Sequence, residues 1–203
     1  MNKGKEFEQD FKKSLESSVL DLWIYRPSDF GGGQASRFTN PSLCDYIIFN
    51  KSTGHLYLLE LKSSQSTSFS TPSAEEHYRL VGEQKVIDDI TNKEDKKIAQ
   101  KAYKELLKRA NSHNIKYHQI KELFDIEQNK DTNNNLHAYF ILNFRKYDRT
   151  FIIKPSDLCA CLIESKKSSV NLADLEKYGK EIKQNKIRNT QHFDYDVSEV
   201  IKL

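Results

Sequence analysis

The chain is 203 residues long, 37% hydrophobic and 30% charged, with a formal net charge of +3. That suffices for one domain with its own core, 1–203, and a charge this small argues for nucleic acid only where it is clustered. No apolar run approaches the ~20 residues of a membrane span and the N-terminus lacks an apolar signal core, so the expectation is a soluble, cytoplasmic protein with no membrane partner. Cys44 stands alone and Cys159 and Cys161 form a Cys-x-Cys pair. Neither has zinc-ligand spacing, and all three are expected to be reduced thiols.

From Lys5 to about Leu22, Phe7, Phe11, Leu15, Val19 and Leu22 recur at helical spacing and predict an amphipathic helix. Glu8 lies on the flank of that stripe, where it is either solvated or directed at a site. Trp23 to Arg26 reads as a short strand. The Gly-rich segment 27–40 reads as a loop, with Gly31 to Gly33 giving flexibility and Arg26 and Arg37 on its flanks. Those two arginines suit a phosphate backbone, or are simply solvated.

The stretch 44–62 carries the chemistry. Tyr46-Ile47-Ile48-Phe49 and Leu56-Tyr57-Leu58-Leu59-Glu60-Leu61-Lys62 are two β-rich runs joined by a polar segment containing Gly54, the pattern of a hairpin. If Asn50 pairs with His55, with Gly54 at positive φ, Asp45 falls opposite Glu60. Opposed residues lie roughly 5 Å apart at Cβ. Alternation puts Lys62 on the face of Glu60 and sends Leu59 and Leu61 to the other, into a core. One reading is a surface salt bridge. The other is a divalent-metal site, in which Asp45 and Glu60 hold Mg²⁺ and Lys62 orients or deprotonates a water for phosphodiester hydrolysis.

Residues 63–72 form a hydroxyl-rich loop. Residues 75–113 are predicted helical, with Tyr78, Val81, Ile87 and Ile90 as one apolar trace and Ile98, Ala102, Tyr103, Leu106 and Ala110 as a second. Lys97, Lys101, Lys104 and Lys108, with Lys96 and Arg109, make the second segment the most basic of the chain, either a solvated face or a DNA-backbone contact. A helix is predicted over 116–124, with Gln119 beside its buried face. A loop at 125–135, a strand at 136–144 and its partner at 150–153 follow. Next come a helix beginning near Pro155, with Ser156 or Asp157 as N-cap, and a helix over 171–182. The last segment, 185–203, reads as a peripheral tail whose Phe193, Tyr195, Val197 and Val200 are available for packing or dimer contacts.

Asp45 followed by Glu60-Leu61-Lys62 resembles the PD-(D/E)XK nuclease signature. Lys3-Gly4-Lys5-Glu6-Phe7-Glu8, Phe38-Thr39-Asn40-Pro41, Ser66-Thr67-Ser68-Phe69, His118-Gln119-Ile120-Lys121-Glu122-Leu123 and Asn143-Phe144-Arg145-Lys146 resemble, in order, the RecU-type Holliday junction resolvases. The resemblance covers most of the chain apart from about 73–115. It implies an α/β (α+β) restriction-endonuclease-like core, a central mixed sheet flanked by helices, with 73–115 as a helical insertion. It also implies Mg²⁺-dependent (or Mn²⁺-dependent) cleavage of four-way DNA by a homodimer, with Glu8 and Gln119 completing the site of Asp45, Glu60 and Lys62. Another nuclease on the same core and a non-catalytic DNA-binding protein are the alternatives.

Overall fold

In a computed structural model, residues 3–27, 43–129 and 134–201 are described. The Gly31 to Gly33 loop and Arg37 fall outside them. The centre is a six-stranded sheet in the order β1-β2-β3-β5-β6-β8. Its strands are β1 (Leu22–Tyr25), β2 (Tyr46–Asn50), β3 (His55–Ser64), β5 (Leu136–Phe144), β6 (Arg149–Ile153) and β8 (Lys180–Ile182). The β3–β5 pair is parallel and the other four pairings are antiparallel. A parallel pair needs a long crossover. Here that crossover carries β4 (Ser68–Ser70), α2 (Ala74–Asp89), α3 (Lys93–Ala110) and α4 (Tyr117–Gln128), and β4 pairs with the distant β7 (Ser169–Asn171). The architecture is the expected α+β arrangement, with helices on both faces of a mixed sheet.

Two cores follow from the strand alternation. On one face Leu58, Phe140, Leu142 and Phe144 pack with Ile120 and Leu123 of α4 and with Leu158 and Leu162 of α5 (Pro155–Ser165). On the other, Tyr57, Leu59, Leu61, Tyr139 and Ile141 pack with Phe7, Phe11 and Leu15 of α1 (Lys3–Glu16). β5 faces a core on both sides, which explains its apolar run from Ala138 to Leu142.

Several boundaries differ from the sequence reading, each for a local reason. Helix α1 ends at Glu16 rather than near Leu22, because the Ser17 and Ser18 hydroxyls donate to the carbonyls of Ser14 and Leu15. Val19 is accordingly fully exposed and Leu22 opens β1. Helix α4 runs on to Gln128, since Glu127 is buried against the start of α5 and accepts from the Ser156 amide and hydroxyl at 2.8 and 2.7 Å. Ser156 is therefore no N-cap; that position is Lys154, with Pro155 preset for the first turn.

The predicted helix over 171–182 is α6 (Leu172–Tyr178), capped by Asn171, and the chain then turns at Gly179 into β8. Where α2 and α3 meet the start of α4, the buried seam is Leu80, Ala110 and Tyr117 with Tyr103, Leu106 and Leu107. Tyr78 and Ile98, expected in the apolar traces, are 65% and 70% exposed.

The tail is not peripheral. β9 (Gln184–Lys186) pairs with β10 (Phe193–Tyr195), and α7 (Ser198–Ile201) follows. Tyr195 packs between Phe7 and Phe11 at 5.6 and 5.5 Å, and Val197 and Val200 are buried beside it. Of the two roles expected for these residues, packing and dimer contacts, Tyr195, Val197 and Val200 take the first.

Candidate active site

The hairpin has the expected register, Asn50 opposite His55 through Tyr46 opposite Leu59. Its turn is closed by the Gly54 amide on the Asn50 carbonyl at 2.8 Å, and Gly54 has φ +74°, a conformation other residues rarely adopt. The Asn50 side chain also accepts from Ser52 and Thr53, which explains why a buried asparagine sits at the strand end. One residue beyond β2 the pairing continues. The Asp45 amide donates to the Leu59 carbonyl at 3.0 Å, and the Asp45 carboxylate accepts from the Leu61 amide at 2.7 Å. Asp45 is thereby fixed against the backbone on either side of Glu60.

Glu60 is 3% exposed, on a strand whose neighbours are apolar. Its Oε1 accepts twice, from Lys62 Nζ at 2.7 Å and from Gln119 Nε2. Among the described residues its Oε2 accepts no hydrogen bond. Gln119 is itself held at the start of α4, where its Oε1 accepts from the Lys116 amide at 3.2 Å. The crossover helix thus carries one amide side chain that ties its own first turn to Glu60. Burial raises the Glu60 carboxyl to about 7; the Lys62 charge opposes that rise and the Asp45 charge adds to it.

Glu8 reaches the same region from α1. Its carboxylate pairs with Arg26, while the Tyr46 hydroxyl donates to its carbonyl at 3.2 Å and the Arg26 guanidinium lies 5.7 Å above the Tyr46 ring. Burial and the nearby Asp45 raise the Glu8 carboxyl, and Arg26 lowers it. The five residues expected at the site, Glu8, Asp45, Glu60, Lys62 and Gln119, therefore meet at the end of the sheet where β3 leaves the core. Arg26, expected to face DNA, is engaged by Glu8. Arg37 lies outside the described residues. Lys97, Lys101, Lys104 and Lys108 are all exposed on α3, and none forms an ion pair among the described residues.

Sequence reasoning misses Tyr46 and Lys116. Tyr46 reads there only as a strand residue. Lys116 stands three residues before Gln119, the spacing at which an N3 amide reaches back to the backbone, and its charge also reaches Glu60. Cys44, next to Asp45, is buried, and burial followed by the Glu60 and Asp45 charges pushes its thiol up to about 12. It stays a neutral thiol, not a thiolate ligand.

The donor set fits a hard divalent cation. Asp45 and Glu60 supply carboxylate oxygens, their mutual repulsion is what a cation would relieve, and both protein contacts on Glu60 fall on Oε1. Among the described residues no three His, Cys, Asp or Glu side chains form a cage. Two carboxylates plus waters suit Mg²⁺ better than Ca²⁺ or Zn²⁺. No protein-family model matches the chain, and no curated protein does. Among the described residues no helix is long and apolar enough to cross a membrane.

Proposed function

We propose that this protein is a Mg²⁺-dependent DNA endonuclease acting on branched, four-way DNA in the manner of a RecU-type resolvase. The observation that carries the reading is the junction of Asp45, Glu60, Lys62 and Gln119: a nearly buried carboxylate, an opposed aspartate and a partly exposed ammonium on one hairpin end.

Asp45 and Glu60 would hold the ion, which when bound supplies charge stabilisation at the phosphate and a more acidic water. Lys62 contributes a proton-bearing group whose position is set by Glu60. Gln119 keeps Glu60 in one orientation, with its hydrogen bond on Oε1. Glu8 adds negative charge beside Asp45, tempered by Arg26. The exposed lysines of α3 are the proposed backbone contact.

Two cuts on opposing strands require two such sites, so the active species is a C₂ homodimer. The tail is unavailable for it. The exposed aromatics Trp23 and Tyr25 on the edge strand β1 and Phe49 on its neighbour β2 provide an apolar surface instead. The test is cleavage of a four-way junction and of linear duplex, with Mg²⁺ and with EDTA. Paired, Mg²⁺-dependent nicks on the junction support the reading. Equal cutting of both substrates would favour a restriction- or repair-type nuclease. No cutting under any condition would favour a non-catalytic DNA-binding protein.

A further inference from the structure

Arg145 opens the turn between β5 and β6, and two of its guanidinium nitrogens, Nε and Nη1, are buried with no hydrogen-bond partner among the described residues. Arg26, Arg79, Arg109 and Arg149 are each paired with a carboxylate, and Arg188 is exposed to water. A guanidinium cannot shed its charge, and burying its donors unmet is among the most costly arrangements a fold can contain. The residue as a whole is only partly buried, so the remainder of its side chain reaches the surface.

Its place in the fold says which anion. The β3–β5 register sets Lys62 beside Leu142, Ser63 beside Asn143 and Ser64 beside Phe144, and the Arg145 amide then donates to the Ser64 carbonyl at 3.0 Å. Arg145 therefore lies three residues beyond the level of Lys62 on the adjoining strand. At ~3.3 Å per residue that is about 10 Å along the strand direction. Its charge reaches the Tyr195 hydroxyl, which puts it on the α1 side of the sheet with Glu8, whereas Glu60 and Lys62 project to the α4 side, so the two groups adjoin only around the end of the sheet. The adjacent polar chain is already satisfied internally, Ser63 to Asn143 at 2.9 Å and Asn143 to Thr150 at 2.8 Å, and takes none of the guanidinium's donors.

We propose that Arg145 seats a backbone phosphate of the bound DNA, at the end of the sheet beyond Lys62. The planar fork matches two oxygens of one phosphate, and the approach is along the end of the sheet where the site opens. That the anion belongs to DNA rests on the nuclease reading; that Arg145 takes a phosphate does not.

The experiment compares the parent with Arg145→Met and Arg145→Lys in two measurements: thermal unfolding against inorganic phosphate, and DNA affinity against salt. In phosphate-free buffer Arg145→Met should melt higher than the parent, because an unmet buried charge is gone, whereas a structural arginine would melt lower on removal. Phosphate should raise the parent's Tm saturably, Arg145→Lys less, and Arg145→Met not at all. The slope of log K against log salt should flatten by about one unit in Arg145→Met. A lower Tm with an unchanged phosphate response would overturn the proposal and make Arg145 a structural donor. A lost phosphate response with an unchanged salt slope would also overturn it, because the anion would not be a DNA phosphate, and it would leave the nuclease reading standing. Loss of both responses in a protein that cuts no DNA would support the phosphate seat and sink the nuclease reading instead.

Discussion

Gln119 donates to the same oxygen of Glu60 that Lys62 grips, so both protein contacts fall on Oε1 while Oε2 accepts none among the described residues. Gln119 is thus a positioning residue, 7% exposed and anchored on the backbone of its own helix start. Replacing it by Leu should leave the core intact and let Glu60 rotate. Mg²⁺ affinity and cleavage should both fall about 10- to 100-fold, the range seen when the partner of a metal ligand is removed. Mg²⁺ titration and single-turnover cleavage check this; a variant that matches the parent in both would remove Gln119 from the site.

The raised carboxyl of Glu60 has a stability consequence with a definite sign. A carboxyl whose folded value lies above its unfolded one favours the fold when protonated. Its contribution is complete below about 4.5 and lost as pH rises through about 7. Without metal, Glu60→Gln should therefore be the more stable protein at pH 8, by up to about 3 kcal/mol, and equal to the parent near pH 4. Mg²⁺ should narrow the gap at pH 8 by stabilising only the parent. Urea unfolding at the two pH values, with and without Mg²⁺, reads all three.

Replacing Lys97, Lys101, Lys104 and Lys108 by Gln should weaken binding to four-way and linear DNA alike. The salt slope should flatten by about one unit for every phosphate that the variant no longer neutralises. An unchanged slope would make the exposed face of α3 a solvated one.

Tyr195 fills the space between Phe7 and Phe11, so truncating it should affect the monomer. Tyr195→Ala should cost about 3–5 kcal/mol, the range for emptying an aromatic site in a packed core. Chemical denaturation measures this. Normal stability with impaired association would return the tail to the role of a dimer surface.

How far the fold and the site were legible depends on where the governing interactions lie in the chain. The hairpin register follows from an alternation of apolar residues and one glycine, all within 44–62, and it alone sets Asp45 against Glu60. The strand 136–144 is equally plain, because a stretch buried on both faces is mostly apolar, here from Ala138 to Leu142. The tail was not, because Phe193, Tyr195, Val197 and Val200 show no period that names α1 as their partner; only the fold brings chain ends together. The end of α1 turned on two serine hydroxyls that a count of apolar spacing ignores. Arg145 looks like one more turn residue, since a sequence shows a charge but not whether anything meets it.

The most direct measurement is single-turnover cleavage of a four-way DNA junction at saturating Mg²⁺ by the parent and by Asp45→Ala, with folding and junction binding followed in parallel. The nuclease reading predicts cleavage by the parent that EDTA abolishes, and none by the variant, with fold and junction binding preserved. Cleavage by Asp45→Ala at the parental rate would contradict it.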